Sequence, residues 1–308
     1  MKIRLGTRGS RLALAQARDV ARRLAASGHE AEIVIVRTSG DQRRDAPFAE
    51  IGPAGVFVVE LERALLDGRV DIAVHSYKDV PSLSPAGLSI VAVPERVDPR
   101  DLLLVREASA AGGEGTLPLK PGATIGTASM RRRAWIRAER PDLTTALLRG
   151  NLPTRIRRLA EGDFDAIVLA AAGIERLRRA EGAGALPLDG IRVVPLDPER
   201  FVPAPSQGAI AVQARADDDA IRTACEALDD PAARRAVRAE RRLLEMVEGG
   251  CSVPFGAYCR PAGETALELI ARLERGGRIV DARARGEDPD ALAAEVFRRL
   301  TGGGGGDD

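Results

Sequence analysis

One short pattern, written twice along the chain, limits its fold more than any other feature. Leu65-Leu66-Asp67-Gly68-Arg69-Val70-Asp71-Ile72-Ala73-Val74 is matched by Leu159-Ala160-Glu161-Gly162-Asp163-Phe164-Asp165-Ala166-Ile167-Val168. Each reads as a helix end, a glycine cap and an apolar strand led by aspartate. Gly6-Thr7-Arg8-Gly9-Ser10 and Gly126-Thr127-Ala128-Ser129 both fall between a predicted strand and a predicted helix. Residues 3–5, 31–36 and 71–74 read as strands, and 11–25 and 56–66 as helices. Such alternation needs a mostly parallel sheet covered by helices. Two similar α/β lobes follow, joined by crossing segments near residues 98–100 and 201–205, where Val202-Pro203-Ala204-Pro205 suits a hinge.

The rest of the chain departs from this pattern. Asp230-Pro231 is a helix start, with a capping aspartate and proline at the first helical position, and residues 234–247 are strongly helical. Residues 266–273 and 278–285 alternate apolar and polar side chains around Arg275-Gly276-Gly277, a hairpin pattern. Asp288-Pro289 opens a last helix. The expected division is an α/β domain of residues 1–98 with 206–226, a second of 101–201, and a small α+β domain of 228–300 with a three-stranded sheet. Residues 301–308, a glycine run closed by two aspartates, read as a flexible tail.

At 308 residues and 44% apolar content the chain can build several cores. A net charge of +1 gives no global field for nucleic acid. No run approaches the ~20 apolar residues of a membrane span, and Lys2-Ile3-Arg4-Leu5 follows the first methionine with no apolar signal segment. Three cysteines are too few for a disulfide framework, and none pairs with another or with His29 or His75 at zinc-like spacing. The expectation is a cytoplasmic monomer without metal, nucleic-acid partner or membrane.

Three strand-to-helix junctions combine arginine with polar side chains. Arg8 and Ser10 occupy the first. At the second, Ser129 is placed to cap a helix opening Met130-Arg131-Arg132-Arg133. The third, Leu148-Arg149-Gly150-Asn151-Leu152-Pro153-Thr154-Arg155, enters a helix at Pro153. Helix N-termini attract anions through unpaired N–H groups and the positive dipole end. Arginine there is unfavourable for the helix itself, so its recurrence predicts an external anion, with carboxylates gripped bidentately. Solvated surface charge is the competing account of any one of them.

His75-Ser76-Tyr77-Lys78-Asp79-Val80-Pro81 follows the apolar strand, at the strand end where α/β sheets collect ligands. A carboxylate at Asp79 suits steadying a cation on a ligand or relaying a proton; a Lys78–Asp79 surface pair is the plainer alternative. His75 reads as a packed, hydrogen-bonded histidine, and Cys225, at helical spacing with Ile221 and Leu228, as core. Cys251 lies in Glu248-Gly249-Gly250-Cys251-Ser252-Val253-Pro254, where glycines end a helix and Pro254 stops it resuming. The thiol is held on a backbone-defined loop that can present it to a ligand; a small buried hydrophobe is its other use.

Eight strings, in order, carry a resemblance. They are Gly6-Thr7-Arg8-Gly9-Ser10, Thr38-Ser39-Gly40-Asp41, the stretch from Val70 through Asp79 to Pro81, Asp98-Pro99-Arg100-Asp101, Gly126-Thr127-Ala128-Ser129-Met130-Arg131-Arg132, Leu148-Arg149-Gly150-Asn151, Ser206-Gln207-Gly208-Ala209, and the Cys251 loop. Over essentially the whole chain they resemble the porphobilinogen deaminase (hydroxymethylbilane synthase) family. The resemblance implies two periplasmic-binding-protein-like α/β lobes plus a small C-terminal α+β domain, in an enzyme of tetrapyrrole (haem-type) biosynthesis. It implies a dipyrromethane cofactor tethered through a thioether at Cys251. It further implies that four porphobilinogen molecules are condensed onto that cofactor with loss of ammonia, and that water then frees hydroxymethylbilane. Asp79 is implied as the catalytic carboxylate, steadying the cationic azafulvene nitrogen. Arg8, Ser10, Ser76, Lys78, Thr127, Ser129, Arg131, Arg132, Arg149, Arg155, Gly173, Arg176 and Gln207 are implied to bind cofactor and substrate, with Phe57 as lid or stacking residue.

The chain departs from the family pattern at Gly52-Pro53-Ala54-Gly55, where Gly-Lys-Gly is usual, and at Val59, Tyr77 and Pro153, where lysine, methionine and glycine are common. Two readings from other classes compete. A two-lobed binding protein for a small carboxylate explains the duplicated lobes but leaves Asp79 and Cys251 without purpose. A thiol-dependent transferase uses Cys251 in every turnover and predicts an unmodified, alkylation-sensitive cysteine.

Overall fold

The computed structural model describes residues 1–37, 58–112, 115–248 and 253–302. In chain order its elements are β1 (Lys2–Thr7), α1 (Arg11–Ala26), β2 (Glu30–Ile35), α2 (Val59–Leu66), β3 (Ile72–Ser76), β4 (Leu88–Ala92), β5 (Asp101–Arg106), β6 (Thr124–Gly126), α3 (Met130–Glu139), β7 (Thr144–Ala146) and α4 (Leu152–Ala160). There follow β8 (Ala166–Ala170), α5 (Ala171–Glu181), β9 (Ile191–Pro195), β10 (Ile210–Arg215), α6 (Asp219–Cys225), α7 (Pro231–Glu248), β11 (Phe255–Pro261), β12 (Leu267–Arg275), β13 (Arg278–Gly286) and α8 (Pro289–Gly302).

Two of the sheets share one wiring. Their orders are β2-β1-β3-β10-β4 and β7-β6-β8-β5-β9. In each, the first three strands are parallel and the fourth runs antiparallel to both neighbours. Contacts divide the chain into two compact units, Met1–Val97 with Gly208–Arg235 and Asp98–Gln207 with Ala236–Asp308. The antiparallel strand is the one each crossover delivers: β5 follows the passage out of the first unit, and β10 the passage back.

The duplication read from the sequence persists at the level of single atoms. Asp71 N–H donates to Arg4 O at 2.8 Å and its carboxylate accepts from Arg4 N–H at 2.8 Å. Asp165 does the same with Thr124, at 3.0 and 2.8 Å. The glycines of the two junctions also correspond. A Cβ on Gly6 would come within 3.0 Å of Val70, and one on Gly126 within 2.9 Å of Phe164, so neither strand end has room for a side chain. In the first unit Ile3, Leu5, Ile72 and Val74 pack against Ala17, Val20 and Leu24 of α1; in the second, Leu103, Ile125 and Val168 pack with Trp135.

The third sheet is antiparallel, β11-β12-β13, and shares a core of its own with α7 and α8, including Ala239, Leu243, Leu269, Ala271 and Val296. The predicted hairpin closes through Gly276 and Gly277, both at positive φ (59° and 79°), with Arg275 opposite Arg278. That is the two-residue turn whose twist matches a hairpin. Asp230 and Asp288 cap α7 and α8, accepting from Ala233 and Ala291 N–H at 2.8 and 2.7 Å.

Two boundary shifts bear on the candidate site. The strand expected at 71–74 is β3, which continues to Ser76 because pairing with β10 persists to Ser76 opposite Ile210. His75 and Ser76 are therefore sheet residues. The helix expected at Pro153 starts at Leu152, since Asn151 caps it, accepting from Thr154 N–H at 3.0 Å. Among the described residues no helix is long and apolar enough to cross a membrane.

Candidate active site

In the first unit β1 and β3 are parallel neighbours, so the chain leaves both at the same sheet edge. After β1 come Arg8 and Ser10; the Ser10 hydroxyl accepts from Ala13 N–H at 3.3 Å and caps α1. After β3 the chain makes one 3-10 turn, Tyr77–Asp79. Tyr77 N–H donates to Ala209 O at 3.1 Å, and Val80 N–H to Tyr77 O at 3.1 Å, which fixes the turn at both ends. A pocket of about 90 Å³ opens between the two segments, lined by Arg8, Ser10, Gln16, His75, Ser76 and Asp79. Lys78 and Asp79 are exposed.

Gln16 is not singled out by the sequence. Its only signal there is an amide between the small residues Ala15 and Ala17 of α1, all three of which are buried. Its amide nitrogen lies 2.8 Å from Ser76 Oγ, which orients that hydroxyl on the pocket wall. His75 is packed and hydrogen-bonded, as expected: Nε2 lies 3.0 Å from Gln213 Oε1. Burial pushes the imidazole pKa down to about 4, with the Gln213 bond opposing.

In the second unit, the expectation of arginines awaiting an outside anion needs correction at Arg131 and Arg132. Ser129 caps α3 as predicted, but both guanidinium groups turn inward. Arg131 Nη2 donates to Asp101 Oδ2 at 2.8 Å, and Arg132 Nη2 to Asp101 Oδ1 at 2.7 Å. Their Nη1 atoms donate to Val202 O and Val168 O, at 2.7 and 2.8 Å. The partner anion comes from within, because Asp101 opens β5 beside β8 and is wholly buried. Burial alone would raise the Asp101 carboxyl; Arg131 and Arg132 overcome that and hold it well below the usual carboxylate range. Gln207 is likewise committed inward, with Nε2 donating to Asp101 Oδ1 at 2.9 Å and Pro99 O at 2.8 Å. One charge is left over: two guanidinium ions oppose one carboxylate, and Arg132 Nε is buried without a hydrogen-bond partner.

The second unit's other expected residues follow β6, β7 and β8. Thr127 is buried, its Oγ1 accepting from Ser129 N–H at 3.2 Å. Arg149 and Arg155 flank the start of α4, and Arg155 Nε donates to Gly150 O at 2.8 Å. Gly173 and Arg176 lie on α5, whose first turn has no side-chain cap. Cys225 is core, its thiol pushed up to about 12 by burial. Cys251 and Phe57 lie outside the described residues, as do Thr38-Ser39-Gly40-Asp41 and Gly52-Pro53-Ala54-Gly55.

A guanidinium, a capped helix start and a carboxylate around one small pocket suit a zwitterionic ligand carrying both a carboxylate and a cationic nitrogen.

Residues 3–223 match the family model described as porphobilinogen deaminase, dipyromethane cofactor binding domain, and residues 234–298 match porphobilinogen deaminase, C-terminal domain. The porphobilinogen deaminase of Syntrophobacter fumaroxidans is 43% identical over 298 residues, 93% of this chain and 92% of the relative. That of a Roseiflexus species is 43% identical over 305 residues, 98% of this chain and 96% of the relative. Among solved structures, the methionine binding protein MetQ is similar with a TM-score of 0.45 at 13% identity, over 76% of this chain and 92% of that one.

Proposed function

Because the chain belongs to the porphobilinogen deaminase family, we propose that it is the transferase hydroxymethylbilane synthase. In this reading it joins four porphobilinogen molecules head to tail with loss of ammonia, then releases hydroxymethylbilane by hydrolysis. One observation carries the reading: within the residues matched to the cofactor-binding domain, Arg8 and Ser10 share a small pocket with Asp79.

Porphobilinogen carries an acetate, a propionate and an aminomethyl cation. Arg8 and the start of α1 take a carboxylate, each charged hydrogen bond contributing about 1.5–3 kcal/mol. Ser76 adds a hydroxyl, and the exposed Lys78 a cation for a second carboxylate. Asp79 is the catalytic residue: its carboxylate steadies the substrate nitrogen that turns cationic as ammonia leaves, and it accepts and returns protons there.

The second unit's residues fit a polyanionic group. Arg131 and Arg132 outnumber Asp101, and the buried Arg132 Nε lacks an acceptor. These two, with Arg149, Arg155 and Arg176, hold the carboxylates of dipyrromethane; Thr127, Ser129 and the first-turn N–H of Gly173 add donors. Gln207 acts through Asp101. When bound, dipyrromethane supplies the nucleophilic pyrrole carbon on which the chain grows. Cys251 is its thioether anchor and Phe57 a lid. The separate core of the C-terminal sheet supports a third domain. Cys225 and Cys259, buried and not joined in a disulfide, support a reducing, cytoplasmic setting. We take the active form to be a monomer.

Intact mass spectrometry tests the reading. The expected result is two pyrrole units of excess mass on the Cys251 peptide, with further discrete steps after adding porphobilinogen. An unmodified Cys251, or a Cys251→Ser variant that keeps the excess mass, overturns it.

A further inference from the structure

Behind the pocket wall runs a buried polar chain that the chemistry above does not use. Gln213 of β10 is wholly buried and bridges two elements. Its Nε2 donates to Glu62 Oε1 of α2 at 3.1 Å, and its Oε1 lies 3.0 Å from His75 Nε2 of β3. Glu62 is 6% exposed and His75 5%. Buried polar groups arranged in sequence are costly unless each is satisfied, so the order of donors and acceptors carries information.

That order is set from one end. Glu62 Oε1 accepts from the Gln213 NH₂, which fixes that end of the amide. The amide oxygen then faces His75, and an oxygen accepts, so Nε2 must carry the ring hydrogen. A neutral imidazole has a single ring hydrogen, which leaves Nδ1 with its lone pair. Neutrality follows from burial, which holds the imidazole pKa near 4. His75 belongs to the wall of the pocket that Asp79 also lines.

We propose that Glu62 and Gln213 are positioning residues that lock His75 as its Nε2–H tautomer, so that Nδ1 is a neutral acceptor for a ligand N–H in the Asp79 pocket. The ligand class is an N–H-bearing pyrrole amine, which rests on the porphobilinogen reading; the tautomer itself does not. A neutral acceptor beside Asp79 orients such a hydrogen without adding charge. An imidazolium there would repel the cationic nitrogen that Asp79 is suited to hold.

The chain has two histidines, so ¹⁵N-histidine labelling of the holoenzyme gives a readable spectrum. At neutral pH His75 is expected to be uncharged with its hydrogen on Nε2, and its Nδ1 resonance to move on saturation with porphobilinogen. Glu62→Gln lets the Gln213 amide turn round; the expected result is a mixture of both tautomers and a kcat/KM for porphobilinogen lower by about tenfold, the range for supporting residues. Gln213→Met, a second route should Glu62→Gln fold poorly, is expected to give the same mixture. An Nδ1–H or charged His75 in the unmodified protein overturns the proposal. So does an Nδ1 resonance that porphobilinogen leaves unmoved, or variants with unchanged tautomer and kcat/KM. A wild-type protein that consumes no porphobilinogen sinks the functional reading instead, and the tautomer still decides the Glu62–Gln213 part.

Discussion

At the carboxyl ends of β1 and β3, Arg8 and Asp79 line a pocket and Asp79 is exposed. At the matching ends of β6 and β8, Arg131 and Arg132 instead fold inward onto Asp101, which no solvent reaches. The two sheets have the same strand order, so wiring does not explain the contrast. One position does. Asp101 opens β5 opposite the last residue of β8, Ala170, and its counterpart Ile210 opens β10 opposite the last residue of β3, Ser76. An acid on the crossover strand draws its own lobe's arginines inward; the isoleucine at the matching place offers no such carboxylate.

The largest effect should come from the exposed side of this comparison. Asp79→Ala is expected to lower kcat by about 10²–10⁴, the range for a lost proton-transfer group, with cofactor mass and unfolding midpoint unchanged. Full activity would break the contrast, since Asp79 would then be ordinary surface. Asp101→Asn addresses the buried side. It strands two guanidinium ions without a carboxylate, and breaking such a pair costs about 3–5 kcal/mol, read by denaturant unfolding. A loss below about 1 kcal/mol, the worth of an exposed pair, would mean that the cluster is not electrostatically closed.

Acid sharpens the comparison with a smaller effect. Folded His75 has a pKa near 4, whereas an unfolded histidine titrates near 6.5. Between those values the unfolded chain binds more protons, so the first unit loses stability as pH falls from about 6.5 to 4, and the loss then levels off. From pH 7 to 5 that is roughly 2 kcal/mol. The depressed Asp101 carboxyl works lower. Its contribution is fully present above the unfolded value of about 3.9 and is lost only as pH falls through the lower folded value. Hydrogen exchange at pH 7 and 5 should therefore show β1 and β3 amides losing protection while β5 and β8 hold theirs. Equal losses in both would count against the assignment.

Local chemistry was legible in the sequence wherever a few neighbouring residues settle it. Ser129, Asp230 and Asp288 announce their helices, and the paired Asp71 and Asp165 announce the duplication. Distance along the chain hid the rest. Asp101 meets Arg131 and Arg132 some 30 positions away, so first-turn arginines read as waiting for a ligand when they were partly satisfied from within. Gln16 was hidden for another reason: an amide among small helix residues looks like a tolerated surface position until tertiary packing seals it against Ser76.

The crossing strands also set a schedule. On a chain emerging from the ribosome N-terminus first, the second lobe's five strands are all present by Pro195, while the first lobe waits for Ile210–Arg215. Until then β3 and β4 have no strand between them, and their unpaired edges are open to other chains. The lobe that begins the protein is thus finished after the one that follows it, and a nascent chain stopped short of β10 holds a sheet split between its third and fifth positions.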